Sequence, residues 1–449
     1  MRALLVSTYD LGRQPFGLAS PAAWLRRAGV EVDCVDTSRQ PLDDGRIAAA
    51  SVIAFYLPMH TATRMAAPLI ERVRRVNPTA RLCAYGLYAP LNAGWLRERG
   101  IHDVLGPEAE EALVAFANSQ LPASNAQGIA RLTFIQPDRT DLPSPERYAA
   151  LQMPDGSLRV MGSTDATRGC KHLCRHCPIV PVYQGQFRVV PIDVVIDDIR
   201  AQVAAGAQHI SFGDPDFLNG PTHALRLVDR FAREFPDVTY DATIKIEHLL
   251  DHAETLAVLR DTGCLFITSA VESIDDEVLV KLRKGHTRAD FAWAVALCRQ
   301  AGIRLTPTFI PFTPWTTLEG YVELLDELDA LDLVEDVAPI QLAIRLLVTA
   351  ESPLLELPDI AGVVQPFDPT SLTWPWRHGD VRVDALHGAV MRVVRDMSNA
   401  PRADAFDAIA ALAREALGRS SARRPRREYA PGPRVTEPWY CCAEPMEQF

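Results

Sequence analysis

Short apolar runs alternate with longer amphipathic segments over the first quarter of the chain. The runs have the length of β-strands, and the segments between them place apolar residues at helical spacing. The predicted strands are residues 3–7, 30–36, 52–56, 81–85 and 102–105. Strands that alternate with helices are typical of a parallel sheet with helices on both faces. Residues 1–120 are therefore predicted to form an α/β domain.

The same alternation returns between residue 161 and about residue 347. The predicted strands are residues 162–165, 209–213, 241–245, 266–271, 304–310 and 340–346. Six strand–helix units predict a partial (β/α)6 barrel of the TIM type. Active groups in such barrels gather at the carboxyl ends of the strands.

The remaining segments differ in composition. Residues 121–160 are rich in Ser, Asn, Gln, Asp and Pro, which predicts a linker between the first domain (1–120) and the barrel (161–350). Residues 351–417 are predicted to be mostly helical. Arginines interleaved with Ser, Ala and Pro predict a flexible tail over 418–449. The first domain is Rossmann-like, but no Gly-x-Gly-x-x-Gly follows its first strand, so the dinucleotide-binding fingerprint is absent.

Charge and hydropathy exclude several classes of protein. The chain has 449 residues and a formal net charge of −11, which argues against a general nucleic-acid binder. No window of about 18 apolar residues occurs, so no transmembrane helix is expected. The first apolar run is interpreted as a strand and not as a signal peptide. We expect a cytoplasmic protein that acts on a small molecule and has no nucleic-acid or membrane partner.

Three of the nine cysteines form a tight motif. Cys170, Cys174 and Cys177 have the spacing Cys-x3-Cys-x2-Cys. Iron–sulfur clusters are held by cysteine thiolates, four in a full set. Three thiolates leave one iron of a cubane cluster open, which indicates a cluster that binds a substrate or cofactor. The alternative is a zinc knuckle completed by His172 and His176, because structural zinc takes four ligands.

The motif resembles the signature of the radical S-adenosylmethionine (SAM) superfamily. The resemblance implies a [4Fe–4S] cluster on Cys170, Cys174 and Cys177, with SAM chelated by the open iron. It also implies an electron donor such as flavodoxin or ferredoxin. The residue before the third cysteine is usually aromatic in the family, and here it is His176.

A Rossmann-like domain before such a barrel resembles the cobalamin-binding class of that superfamily. In that class the loop after the first strand often carries Asp-x-His-x-x-Gly, whose histidine ligates cobalt. The loop at 9–17 has the aspartate and a later glycine but no histidine. Two alternatives remain open. The domain binds cobalamin without a histidine ligand, or it keeps the fold without the cofactor, which the missing histidine favours.

The resemblance also implies SAM contacts at the ends of the barrel strands. Gly213 allows close backbone approach, and Asp214 or Asp216 can accept hydrogen bonds from the SAM ammonium group. Gly, Asp and Pro also favour ordinary turns, which is the alternative at this position. Lys245 lies between two isoleucines and can reach the SAM carboxylate or pair with Glu247.

Two later strands supply further candidates. Ser269 and Glu272 belong to a segment similar to the Glu-Ser … Leu … Lys-Gly segment of the family, which implies contacts with the ribose and carboxylate of SAM. Arg345 lies among Ile and Leu on the last predicted strand. A buried arginine is costly unless it is paired. Its partner is therefore a carboxylate of SAM or substrate, or else a structural salt bridge.

The tail carries the adjacent cysteines Cys441 and Cys442 in the ending Trp-Tyr-Cys-Cys-Ala-Glu-Pro. Vicinal cysteines do not bridge each other easily, but two adjacent thiols can chelate a soft metal or metalloid. The ending resembles that of a radical SAM family with a Cys-Cys-Ala-Glu-Pro or Cys-Sec-Ala-Glu-Pro tail, in which selenocysteine takes the position of Cys442. A sister family with another cysteine-rich tail is linked to transfer of the aminocarboxypropyl group of SAM to arsenite.

These patterns lead to one leading hypothesis and three alternatives. The leading hypothesis is a transferase in which Cys441 and Cys442 hold a soft acceptor for an alkyl or aminocarboxypropyl group of SAM. The second is cobalamin-dependent methylation. The third is not an enzyme but a metalloid or redox sensor, in which the tail thiols bind the metalloid and the cluster only reports that binding. The last is a disordered tail with incidental thiols.

Overall fold

The first domain is a parallel sheet with helices on both faces, as predicted. The computed structural model describes residues 1–118, 132–419 and 430–437. The strands of this domain are β1 (Arg2–Ser7), β2 (Glu31–Asp36), β3 (Val52–Tyr56), β4 (Arg81–Tyr85) and β5 (Asp103–Val104). They pair in the order β2-β1-β3-β4-β5, the flavodoxin-like arrangement.

The helices cover both faces of this sheet. They are α1 (Phe16–Arg27), α2 (Asp44–Ala49), α3 (His60–Val76), α4 (Tyr88–Leu91), α5 (Ala93–Glu98) and α6 (Glu110–Ala117). Apolar side chains of α1 and α6 pack on one face, and those of α2 to α5 pack on the other. Because both faces are covered, β1 is an almost continuous apolar run, as expected for a strand inside a parallel sheet.

The second domain is a curled half-barrel. Its sheet has the order β13-β12-β11-β10-β7-β6-β14, in which β7 and β10 to β13 are parallel neighbours. The strands are β6 (Ala150–Gln152), β7 (Leu158–Thr164), β8 (Thr167–Gly169), β9 (Phe187–Val189), β10 (His209–Phe212), β11 (Thr239–Thr243), β12 (Cys264–Glu272), β13 (Arg304–Phe309) and β14 (Arg434–Val435). Strands β8 and β9 form a separate antiparallel pair.

Helices cover the outer face of the half-barrel, and a helical region follows it. The helices are α7 (Ile179–Tyr183), α8 (Ile192–Ala204), α9 (Pro221–Glu234), α10 (Ile246–Asp251), α11 (Thr255–Asp261), α12 (Asp276–Leu282), α13 (Arg288–Ala301), α14 (Leu318–Ala330), α15 (Pro358–Ala361), α16 (Val381–Asp396) and α17 (Arg402–Ala416). Helix α17 packs against α14 and α16. Of the helices in the described ranges, none has both the length and the apolar character needed to cross a bilayer.

The structure differs from the sequence prediction at both edges of the barrel sheet. The predicted linker contains β6, and the predicted tail contains β14, which pairs with it. The sixth predicted strand, 340–346, is a 3₁₀ turn (Pro339–Leu342) followed by one parallel bridge between Phe312 and Arg345. The backbone N–H of Phe309 donates to the side chain of Gln341, so a side chain occupies the position where a sixth strand would pair.

A buried cluster of charged groups joins the two domains. The guanidinium of Arg168, on β8, donates to Glu108 at 3.1 Å, to Glu110 at 2.7 Å and to the Ser20 hydroxyl at 3.1 Å. The hydroxyl of Tyr183 donates to Glu108 at 2.8 Å. Both glutamates are buried. Because a buried carboxylate is costly without a partner, Arg168 fixes the first domain against the barrel.

Replacing Arg168 with methionine is expected to lower the free energy of unfolding by about 3–5 kcal/mol, because Glu108 and Glu110 would lose their buried cation. The measurement is the denaturant midpoint and slope. The matched control is Arg200→Met on α8, where the pairs with Asp197 and Glu234 are exposed, and a change of about 0.5 kcal/mol or less is expected. Equal losses in the two variants would contradict the structural role of Arg168.

Candidate functional site

The three motif cysteines lie in one loop at the carboxyl end of the barrel. The loop follows β8 and ends where α7 begins. Gly169 has φ +79°, and a Cβ there would collide with the Tyr183 ring, so the turn into the loop needs glycine. Cys170 and Cys174 are buried, Cys177 is half-buried, and none of them forms a disulfide.

A buried cation lies beside this loop. Lys284 is buried and donates to Glu272 at 3.4 Å. Burial alone would lower the pKa of Lys284, but Glu272 and the sulfurs of Cys174 and Cys177 raise it above its ordinary value. Burial raises the pKa of the Cys170 thiol to about 11. Metal ligation deprotonates such thiols outright. Three thiols on one loop, two of them beside a buried cation, fit an anionic iron–sulfur cluster with one open iron.

The two histidines of the loop face carboxylates. The Nε2 atom of His172 lies 3.3 Å from Asp216, and that of His176 lies 3.1 Å from Glu272. Among the described residues, no group of donor atoms within 4.8 Å of one another combines the thiols with these histidines. The zinc-knuckle alternative therefore gains no support from this geometry.

Two of the predicted residues after β10 support the fold of the loop. A Cβ on Gly213 would collide with the side chain of Asp165, so the chain passes closely here. Asp214 accepts hydrogen bonds from the Ala166 backbone N–H at 2.9 Å and from the Thr167 hydroxyl at 2.6 Å. Burial raises the pKa of Asp214 to about 7. Asp214 thus holds the segment that leads into β8, and its contact with SAM stays a prediction.

Asp216 lies deeper in the same turn. It is fully buried, and its Oδ1 atom accepts from the Leu218 backbone N–H at 3.2 Å. Its Oδ2 atom lies 3.3 Å from His172 and 2.7 Å from the Nδ1 atom of His248, the third residue of α10. The structure therefore brings Asp216 together with two histidines that the sequence did not single out for this position.

The predicted residues of β11 and β12 converge on the same end of the barrel. Lys245 directly precedes α10 and donates to Glu247 at 3.0 Å, as one predicted alternative has it. Ser269 is fully buried, and its hydroxyl has no hydrogen-bond partner among the described residues. A buried hydroxyl without a partner is costly, and it is suited to a ligand that supplies the missing hydrogen bond.

Glu272 connects β12 to the cysteine loop. It has φ +69°, an uncommon value for a residue with a side chain. It is bonded to Lys284 and lies 3.1 Å from His176. Burial would raise the pKa of this carboxyl, but Lys284 and His176 hold it at about 2. Glu272 therefore carries a negative charge that binds β12 to both the cation and the loop.

His286 is a buried residue of this region that was not predicted from the sequence. Both of its ring nitrogens lack hydrogen-bond partners among the described residues. Burial lowers the pKa of His286 to about 4, and the charges of Lys284 and Lys245 act in the same direction. A neutral imidazole can both donate and accept a hydrogen bond. The only sequence feature that could have identified His286 is its position directly after the Lys284-Gly285 pair.

Arg345 has partners within the protein. It donates to Asp384 at 2.8 Å and to the Trp376 carbonyl at 2.9 Å, and its guanidinium carbon lies 3.6 Å from the centre of the Trp376 ring. These contacts correspond to the structural alternative, a salt bridge to the helical C-terminal region. The remaining predicted residues, Cys441 and Cys442, lie outside the described residues.

The segment 430–437 closes the open side of the half-barrel. Arg304, on one edge strand, donates to the Ala430 carbonyl at 3.1 Å, while β14 pairs with β6 on the other edge. Beyond β14, the Tyr9 hydroxyl donates to Glu437 at 3.1 Å. A cavity of about 50 Å³ lies between this segment and the inner face of the sheet. On that face Asp241 accepts from Ser211 and lies 2.9 Å from His209.

A second cavity lies between the two domains. It has a volume of about 190 Å³ and is lined by aromatic side chains and by Arg168. The aromatic residues are Phe16, Tyr56, Tyr85 and Tyr183. The carboxyl ends of β3 and β4 open into this space, which is where ligands bind in open α/β sheets.

Comparisons with known proteins agree with this architecture. Residues 165–328 match the family model described as the radical SAM superfamily. The chain is 29% identical over 177 residues to tRNA-2-methylthio-N(6)-dimethylallyladenosine synthase from Fusobacterium nucleatum. The aligned region covers 36% of this chain and 40% of that protein. The chain is also 25% identical over 160 residues to hopanoid C-3 methylase from Methylococcus capsulatus. That alignment covers 36% of this chain and 30% of the methylase. These matches span less than half the length of either relative.

Two solved structures share most of the fold. The radical SAM methyltransferase TsrM from Kitasatospora setae superposes with a TM-score of 0.59 at 18% identity and covers 74% of this chain and 71% of its own. The cobalamin-dependent SAM radical enzyme OxsB superposes with a TM-score of 0.68 at 13% identity and covers 88% of this chain and 67% of its own. At these identities the likeness establishes the fold alone.

Proposed function

We propose that this chain, whose residues 165–328 belong to the radical SAM superfamily, transfers an alkyl or aminocarboxypropyl group of SAM to a soft acceptor held by Cys441 and Cys442. A [4Fe–4S] cluster and SAM are the cofactors that the superfamily implies. A bound cluster supplies the electron that cleaves SAM, while the protein supplies position and electrostatics. The observation that carries the proposal is the anchoring of the segment that leads to the two tail thiols.

That segment points toward the cysteine loop. Strand β14 is antiparallel to β6, and β6 is antiparallel to β7, so β14 runs in the direction of β7. The chain therefore heads toward the carboxyl ends of the barrel strands when it reaches Glu437. Cys441 is the fourth residue beyond Glu437, and four extended residues span at most roughly 14 Å. This tether supports a tail that delivers its thiols to the mouth of the barrel.

The loop bonded to the tail also approaches the strand ends. Tyr9, which binds Glu437, belongs to the loop after β1. Arg13 of that loop lies 3.4 Å from the position that a Cβ on Gly213 would occupy. Gly213 directly follows β10, whose carboxyl end neighbours the cysteine loop. The first domain thus connects the anchored tail to the predicted SAM site.

The group transfer balances with two electrons. Cleavage of the bond between sulfur and the aminocarboxypropyl carbon consumes one electron and leaves methylthioadenosine and a carbon radical. The radical forms one bond to a thiol-bound acceptor such as arsenic(III). A second electron completes the pair as one tail thiolate leaves the acceptor. Both electrons come from a donor of the flavodoxin or ferredoxin class.

The described side chains have defined roles in this proposal. Lys284 offsets the negative charge of the thiolates beside it, and Glu272 holds Lys284 in place. Lys245 and the Ser269 hydroxyl are proposed to bind the carboxylate and ribose of SAM. The segment 430–437 keeps water away from the interior of the half-barrel, because it closes the gap between the edge strands.

Analysis of the SAM fragments tests the proposed reaction. The protein is reconstituted anaerobically, reduced in the presence of SAM and arsenite, and examined by mass spectrometry. We expect methylthioadenosine above the spontaneous decay in a protein-free sample, together with an arsenic compound that carries the aminocarboxypropyl group. 5′-Deoxyadenosine as the main fragment would contradict this route and direct the search to a substrate that donates hydrogen.

Cobalamin-dependent methylation is the second candidate. The carboxyl edge of the first sheet faces the barrel across the interdomain cavity, which favours a cofactor at that position. The cavity measures about 190 Å³, below the 300–1,000 Å³ typical of pockets for drug-sized ligands. Tyr56 and Tyr85 would have to move to admit a corrinoid. A corrinoid spectrum in protein purified from cells supplied with cobalamin would favour this candidate.

A further inference from the structure

We infer that His172, Asp216 and His248 form a binding site for one divalent metal ion of the zinc or iron(II) type, separate from the cluster. The three side chains come from different elements. His172 lies in the cysteine loop, Asp216 follows β10, and His248 lies on α10. One ligand atom from each lies within 4.8 Å of the other two.

The separation between Asp216 and His172 suits a shared ion, and the shorter separation between Asp216 and His248 would widen when the ion binds. The Oδ2 atom of Asp216 lies 2.7 Å from Nδ1 of His248 and 3.3 Å from Nε2 of His172. Ligands that bind one zinc ion at about 2.0–2.1 Å lie roughly 3.4 Å apart at tetrahedral angles. Two imidazoles and one carboxylate are the ligand set of catalytic zinc sites and of non-haem iron(II) sites, both of which keep an open position.

Hydrogen bonding does not account for this convergence. The three facing atoms have no hydrogen bond of normal geometry among the described residues. Asp216 is fully buried, and His248 is only 2% exposed. Buried polar atoms without partners are rare and costly. A metal ion placed between them would satisfy all three atoms at once.

The surroundings have the features of an outer coordination shell. The Nδ1 atom of His172, on the far side of the ring from Asp216, lies 3.5 Å from the Glu247 carboxylate. Lys245 donates to the same carboxylate at 3.0 Å and holds it in place. Metal-bound histidines commonly bond to a carboxylate through their other nitrogen, which fixes the ring.

The proposed ion lies where it would connect three elements of the barrel. His172 is two residues from Cys170, so the ion would connect the cysteine loop to β10 and α10. Its open position would accept water or an anionic oxygen or sulfur donor next to the cysteine loop. The inference does not depend on the tail thiols, and it holds for either candidate function.

Metal analysis of the reconstituted protein tests the site. Protein carrying its cluster is treated with a mild chelator, supplied anaerobically with Zn²⁺ or Fe²⁺, desalted and analysed for metals. We expect one ion per chain in addition to the cluster iron. The variants His248→Ala and Asp216→Asn should lose this ion and retain the cluster absorption, which also reports that they are folded.

The matched control is His252→Ala. His252 directly follows α10, and its ring centre lies 5.8 Å from that of His248, but its side chain is 27% exposed and is not one of the three ligands. This variant should keep the extra ion. The inference would be overturned if the unaltered protein bound no extra ion when supplied with either Zn²⁺ or Fe²⁺. It would also be overturned if His248→Ala kept the extra ion. Neither result bears on the cluster or on the tail.

Discussion

Replacing Cys174 with alanine is expected to remove the cluster iron and to reduce SAM cleavage to the level of a protein-free sample. Cys174 is a buried thiol of the loop and lies beside Lys284. With Cys174 absent, two thiols remain for a cluster that needs three protein ligands, and the buried ammonium of Lys284 loses a negative neighbour. The measurements are iron and sulfide content, the visible absorption of the reconstituted protein, and the release of SAM fragments.

The control for this variant is Cys298→Ala. Cys298 is also buried, but it lies on α13 in the apolar core, where burial raises its pKa. This change should cost about 1 kcal/mol of stability and leave the iron content unaltered. Full iron in Cys174→Ala would contradict the assignment of the loop. Stoichiometric zinc without iron in the unaltered protein would instead restore the zinc alternative.

The fold could be predicted largely because strands and helices alternate with clear periods. Apart from the two-residue β5, the strands of the first sheet and the parallel strands of the barrel are largely apolar runs of ordinary length, so local pattern identifies them. Strands β6 and β14 are three and two residues long and pair across more than 280 residues. No local pattern carries such a pairing. The buried apolar run at 340–346 resembles a strand in sequence, although Gln341 caps the edge instead.

The site could be predicted only where a motif is local. The spacing of Cys170, Cys174 and Cys177 is contained in eight residues, and it identified the loop. His248 lies 32 residues beyond Asp216, and their contact depends on how α10 follows β11. Lys284 meets Glu272 across 12 residues through a turn and a helix. Such convergence is a property of tertiary packing, which periodicity does not report.

The interdomain charges illustrate the same limit. No local pattern connects Arg168 with Glu108 and Glu110, which lie 60 and 58 residues before it. Arg168 directly precedes Gly169 and the cysteine loop. The same residue that joins the domains therefore also fixes the start of the loop. Changes in the first domain that disturb Glu108 or Glu110 are thus coupled to the geometry of the cysteines.

Replacing Cys441 or Cys442 with serine is expected to abolish formation of the arsenic product while iron content stays unchanged. A hydroxyl is a hard, weak ligand for a soft acceptor, so either change removes one of the two thiolates that hold it. The loss should exceed the roughly 10–100-fold cost of removing an outer-shell partner. Product is measured by mass spectrometry with arsenite as the acceptor, and SAM cleavage is measured in the same samples.

The anchoring of the tail offers a graded comparison. Tyr9→Phe removes the hydroxyl that donates to Glu437 but keeps both thiols. Because a hydrogen bond to a carboxylate contributes about 1.5 kcal/mol, product formation should fall by roughly tenfold and not vanish. Full product from both serine variants would end the proposal that the tail holds the acceptor. If Tyr9→Phe and Cys442→Ser lost the same amount of product, the tail would contribute only through its position and not through ligation by its thiolates. The expected order is therefore Cys442→Ser far below Tyr9→Phe, with the iron content equal in both.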